Sequence, residues 1–134
     1  MGSLADLMQP APPTVLEDAP FREVARFFAG QPYDHLMVVD GEGQLRGAIA
    51  LQDVKNELQD AELADLLTAS DLIRTDIQTV TPENQLIEAL EAFRQYEGER
   101  LPVINNPQER KLIGWISKSD LLLAVAEKLN PQRT

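Results

Sequence analysis

Apolar residues recur along the chain with two periods, and the order of those periods repeats once. Phe21, Val24, Ala25 and Phe28 fall at i, i+3, i+4 and i+7, and so do Leu86, Ala89, Leu90 and Phe93. That spacing puts each set on one face of an amphipathic helix. An acidic or proline-marked start precedes each set, Asp18 with Pro20 and Thr81 with Pro82. Short extended segments lie ahead of these starts, Thr14-Val15-Leu16 and Ile77-Gln78-Thr79-Val80. After each helix come two apolar runs of strand length joined by a turn rich in Gly or Asn. The runs are Leu36–Val39 with Leu45–Ile49, and Leu101–Ile104 with Leu112–Ile116. A second helix closes each copy, opening near Gln52 and near Ser119. Each copy therefore reads β-α-β-β-α.

The two copies align residue by residue. Thr14-Val15 lies over Thr79-Val80 at an offset of 65, which also brings Glu23 to Glu88 and Phe28 to Phe93. Beyond the hairpin turn the offset is 67, so that Gly47-Ala48-Ile49 meets Gly114-Trp115-Ile116 and Asp53 meets Asp120. The extra residues fall in the turn, where insertions are tolerated. Half of a 134-residue chain is too short to bury a full core by itself. The predicted fold is thus α/β of the α+β kind: two β-α-β-β-α repeats, residues 5–59 and 71–130, packed with pseudo-two-fold symmetry into one globule. Residues 60–70 join them, read as helix followed by turn.

Charge and composition narrow the function. Twelve Lys and Arg stand against 22 Asp and Glu, a net charge of −10. That balance argues against a nucleic-acid partner and against docking on an anionic membrane. Without cysteine there is no disulfide and no thiolate metal site. No apolar run approaches the roughly 18 residues of a membrane span, so no direct insertion is expected. Met1-Gly2-Ser3 reads as a cloning remnant, with the natural sequence starting near Leu4 as a piece of something larger.

The sharpest local signal is Gly114-Trp115-Ile116-Ser117-Lys118-Ser119-Asp120-Leu121. Its counterpart, Gly47 to Val54, keeps the glycine and Asp53 but has Ala50 in place of the hydroxyl. With Leu101-Pro102-Val103-Ile104 and the element order, these stretches resemble the CBS domain family, and the tandem resembles a Bateman module. The resemblance covers roughly Ala5 to Leu129, and Ala5-Asp6-Leu7-Met8 is similar to the lead-in that often precedes the first domain. It implies a regulatory module, not an enzyme, with ATP, ADP or AMP as ligand in clefts between the copies. The implied contacts of the better cleft are Ser117, Lys118 and Asp120 for phosphate and ribose, Ile116 for the base, and Thr14 and Tyr33 from the first copy. The implied second cleft has Ile49, Asp53, Thr79, Arg100 and Leu101. It lacks a hydroxyl at Ala50, has Gly98 opposite Tyr33, and is expected to be weaker or empty.

The chemistry suits those roles. A carboxylate at a helix start accepts two bonds from ribose hydroxyls, and a hydroxyl beside free helix N–H groups donates to phosphate. Plainer roles stand beside them: Asp120 and Asp53 as first-turn acids favoured by the helix dipole, Ser117 as a cap, Tyr33 as a packing residue at a loop edge. His35 is the only histidine, so no transition-metal site and no histidine pair for base chemistry is expected. The acids Asp60, Glu62, Asp65, Glu97 and Glu99 read as solvated, with a weak divalent-cation site as the alternative. No P-loop, GxSxG elbow or HExxH is present, and no catalytic residue is assigned.

Tyr33-Asp34-His35-Leu36-Met37-Val38-Val39 resembles a stretch of the C-terminal cytoplasmic domains of CLC-family chloride channels and transporters. That implies a place on the cytoplasmic face, attached to a membrane transport domain. A ligand-free dimerisation scaffold and a regulatory module of a divalent-cation transporter are the alternatives. Finally, Leu121 to Ala126 are apolar without interruption. A helix on a monomer's surface needs only one apolar stripe, so a homodimer with Leu122 and Val125 at the contact is expected.

Overall fold

The runs read as strands form two antiparallel hairpins, one in each half of the chain. The computed structural model describes residues 3–130, so Met1 and Gly2 of the expected remnant lie outside the described residues. In chain order the elements are α1 (Leu4–Leu7), β1 (Gln9–Pro10), β2 (Thr14–Leu16), α2 (Phe21–Gly30), β3 (His35–Val39), β4 (Leu45–Ala50), α3 (Leu51–Glu57), α4 (Ala61–Ala64), α5 (Ala69–Leu72), α6 (Leu86–Arg94), β5 (Arg100–Ile104), β6 (Leu112–Ser117) and α7 (Lys118–Leu129). Two three-stranded sheets with flanking helices make the α+β class. By contacts the chain divides into two compact units. One is Pro13–Ile77; the other joins the residues up to Pro12 to those from Gln78 onward.

In the Pro13–Ile77 unit the sheet order is β2-β3-β4, with β2 parallel to β3 and β3 antiparallel to β4. Alternation aims Leu36, Val38 and Ile49 into a core with Val15, Val24, Val54 and Leu72. The segment read as a joiner contributes to that core. It forms α4, a turn and α5, and buries Ala64 and Ala69. Its backbone is tied in, Ala69 N–H donating to the Ala19 carbonyl at 2.8 Å and Phe21 N–H to Leu67 at 3.0 Å. Beyond α5 the chain runs along β4, where Arg74 and Ala48 exchange backbone bonds of 2.8 and 3.1 Å.

The other unit has sheet order β1-β6-β5. The extended segment expected over 77–80 shortens to one parallel bridge, Val80 to Val103. The helix start expected at Thr81 and Pro82 is displaced to Leu86. The side chain of Asn84 takes the Thr81 N–H at 2.7 Å and closes a turn there instead. Gln85 then caps α6. Its N–H, and after it the Asn84 amide, bond the Glu88 carboxylate and hold that carboxyl below its ordinary range.

The lead-in segments repeat as well. Asp6-Leu7-Met8-Gln9 and Asp71-Leu72-Ile73-Arg74 stand at the same offset of 65. Each runs from a short helix into an antiparallel pairing, Gln9 with Trp115 and Arg74 with Ala48. Leu4–Pro10 therefore completes the sheet that carries the second repeat's hairpin, although it precedes β2 in sequence. Both crossings pass over the motif glycine. A Cβ on Gly47 would lie 2.4 Å from the Arg74 carbonyl oxygen, and one on Gly114 2.6 Å from that of Gln9. The invariant spacing of glycine within the two motifs thus has a steric cause: only a hydrogen side chain lets the crossing strand approach.

Candidate functional site

Two strand-to-helix junctions carry the motif acids, and they are built alike. In each, the first helical N–H is tied to a carbonyl just before the neighbouring strand: Lys118 to Glu99 and Leu51 to Asp34, both at 2.9 Å. The side chains differ. At the start of α7 the Ser117 hydroxyl accepts the Asp120 N–H at 3.1 Å as N-cap. Its own O–H remains able to donate. The Asp120 carboxylate, half-buried in the first turn, has no hydrogen bond or ion pair among the described residues. Both readings of Ser117 and Asp120 are therefore compatible in one geometry: the cap positions the hydroxyl, and the acid stays open.

At the start of α3 the cap position is Ala50, which offers no side-chain bond. Asp53 is engaged. Arg74 Nε donates to Oδ2 at 2.9 Å and Nη2 to Oδ1 at 3.1 Å, a two-pronged clamp. The side chains are 41% and 29% exposed, so the pair is worth no more than about 1 kcal/mol. The guanidinium engages both carboxylate oxygens. Sequence reasoning missed Arg74 and its counterpart Gln9. The signal was the 65-residue offset of the lead-ins, which places an arginine opposite one motif acid and a glutamine opposite the other.

The remaining predicted residues scatter. Thr14 is exposed on β2, Thr79 half-buried in the loop before Val80, and Lys118 half-buried. Tyr33 lies 6.4 Å from Phe27, ring to ring and 29° from parallel, as the packing role requires. Arg100 places its guanidinium 5.2 Å over the Trp115 ring. Ile49, Leu101 and Ile116 belong to the core of the two hairpins. All three are 0% exposed, because they face inward across their hairpins, where Leu36 pairs with Ile49 and Leu101 with Ile116. His35 Nδ1 meets Asp34 at 3.0 Å. The acids Asp60, Glu62, Asp65, Glu97 and Glu99 are exposed, and no three His, Asp or Glu converge among the described residues. None of the described helices is long and apolar enough to cross a membrane.

Comparison with known proteins follows the repeat. A family profile described as the CBS domain matches residues 4–60 and 69–127. The chain is 25% identical over 122 residues to a homoserine O-acetyltransferase of Methanocorpusculum labreanum, which covers 91% of this chain but 24% of that protein. It is 28% identical over 102 residues to the arabinose 5-phosphate isomerase KpsF of Escherichia coli, 76% of this chain and 31% of the isomerase. The chain thus spans a quarter to a third of the length of these relatives. Among solved structures, a CBS domain protein of Streptococcus pneumoniae superposes with a TM-score of 0.77 at 22% identity, over 93% of this chain and 87% of that one. CbpB in complex with c-di-AMP gives 0.77 at 18%, over 97% and 88%. The CBS domain pair of MJ0100, in complex with 5′-methylthioadenosine and S-adenosyl-L-methionine, gives 0.70 at 19%, over 94% and 97%.

Proposed function

The chain belongs to the CBS domain family as a tandem pair, and on that premise we propose that it is a non-catalytic regulatory module sensing an adenine nucleotide through the Ser117–Asp120 junction. The observation that carries this reading is the unengaged Asp120 carboxylate beside a hydroxyl whose orientation is fixed by capping. Asp120 accepts from the ribose hydroxyls, and Ser117 and Lys118 meet phosphate. Thr14 and Tyr33 complete the proposed set by family resemblance. The c-di-AMP, methylthioadenosine and S-adenosylmethionine of the two liganded neighbours share an adenosine moiety, which supports the ligand class. Calorimetric titration with ATP, ADP, AMP and S-adenosylmethionine tests it. Binding is expected in the micromolar to millimolar range, about −8 to −4 kcal/mol. Flat titrations with all four at millimolar concentration overturn the proposal.

The module serves a longer protein in this reading, as the short share of its curated relatives suggests. A chloride channel or transporter as host is a proposal that rests on the Tyr33 stretch and on the Ile49-Ala50-Leu51-Gln52-Asp53 segment.

Homodimerisation is part of the same proposal. On α7 only Leu121 is fully buried, while Leu122, Leu123 and Leu129 are 47%, 66% and 81% exposed. An apolar face of this kind needs cover, and a second copy of the chain supplies it with closed symmetry. Light scattering is expected to give twice the chain mass at high micromolar concentration and the single mass for Leu122→Glu. A monomer unaffected by that substitution counts against the dimer.

A further inference from the structure

Within the Pro13–Ile77 unit, the residue crossing Gly47 sends a guanidinium onto both oxygens of the motif acid. In the other unit the residue crossing Gly114 is Gln9, exposed and neutral. The two start from matched backbone positions. Arg74 bridges Ala48 and Gln9 bridges Trp115, and Ala48 and Trp115 are themselves equivalent at the offset of 67. The crossing residue therefore decides whether the motif carboxylate already has a partner.

We propose that Arg74 is an internal occupant of Asp53 that competes with ribose diols for this acid, so that the identity of the crossing residue ranks the two motif acids in affinity for an adenosine ligand. The inference rests on the nucleotide-sensing reading above. Two N–H donors already take a lone-pair site on each oxygen of the carboxylate, so a cis-diol that bonds both oxygens must compete with them. A diol must compete with the guanidinium for both oxygens, whereas no described side chain holds the Asp120 carboxylate. The pair is partly exposed, and exposed ion pairs are weak, so the penalty is a factor of about five in affinity and not an absolute bar. Ala50, lacking the hydroxyl, lowers affinity at that end further.

Two reciprocal exchanges test it, with ADP as the probe in calorimetry and thermal unfolding to confirm that each variant folds. Gln9→Arg brings a guanidinium to Asp120 and is expected to weaken ADP binding about fivefold. In an Asp120→Ala background only the Asp53 end is left. There, adding Arg74→Gln is expected to tighten ADP binding by a similar factor. Unchanged affinity on both exchanges, in a protein whose wild type binds ADP, overturns the inference and leaves the proposed function standing. So does weaker binding on Arg74→Gln, which would make Arg74 a ligand contact. A wild type and Arg74→Gln that both titrate flat with ADP overturn the inference, and flat titrations with ATP, AMP and S-adenosylmethionine as well overturn the proposed function with it.

Discussion

Gly47→Ala is expected to lower stability by about 3 kcal/mol, the upper part of the range for overpacking a closed site. The new methyl would stand 2.4 Å from the Arg74 carbonyl oxygen and 3.2 Å from its carbon. These are backbone atoms. That carbonyl also accepts the Ala48 N–H at 3.1 Å, so moving it aside gives up a sheet hydrogen bond worth about 1 kcal/mol. A domain holds only about 5–15 kcal/mol in all, so the loss is large. Urea unfolding measures it as a fall in midpoint. Gly41→Ala is the control, because a Cβ there meets nothing within 4 Å, and its midpoint should stay within about 0.5 kcal/mol of the original. Equal midpoints for the two variants would mean that the Arg74 crossing gives way easily, and that the glycine has another cause.

Asp120→Ala is expected to weaken adenine-nucleotide binding by about 1–3 kcal/mol, roughly five- to a hundredfold, the loss of charge-assisted bonds from the ribose. Asp53→Ala is expected to change affinity little, since Arg74 already holds that carboxylate. The contrast is read by calorimetry on both proteins under one buffer. Equal losses would show that the Arg74 clamp opens freely in solution and that the two acids are interchangeable.

Local periodicity was enough to find α2, α6 and both hairpins, because each depends on residues within a few turns of one another. The closing helices opened a residue or so before the positions read from Gln52 and Ser119, an ordinary uncertainty for helix ends. The start of α6 was misplaced because Pro82 looks like a first-turn proline, while Asn84 captures the backbone donor that would have begun the helix. The seat of Leu4–Pro10 was out of reach of any local pattern, since its partner strand lies at the far end of the chain. The ranking of Asp120 over Asp53 was made from Ala50 and from Gly98 opposite Tyr33. The clamp joins residues 21 apart through a side chain, and no spacing rule announces it. Alternation correctly made Ile49, Leu101 and Ile116 apolar strand residues, and all three lie in the core.

The discontinuous unit has a bearing on how the chain is made. As synthesis proceeds from the N-terminus, Leu4–Pro10 emerges ahead of Pro13–Ile77, and β6 only after it. Pro13–Ile77 is contiguous, so it can close its sheet once Arg74 is available. The opening segment must wait through that whole interval with Leu4, fully covered in the finished fold, still in water. Closing so long a loop is slow relative to the local hairpins, and the β1–β6 pairing is therefore the natural last step of folding. A nascent chain halted after Ile77 would carry one finished sheet and an unpaired opening segment with Leu4 still in water.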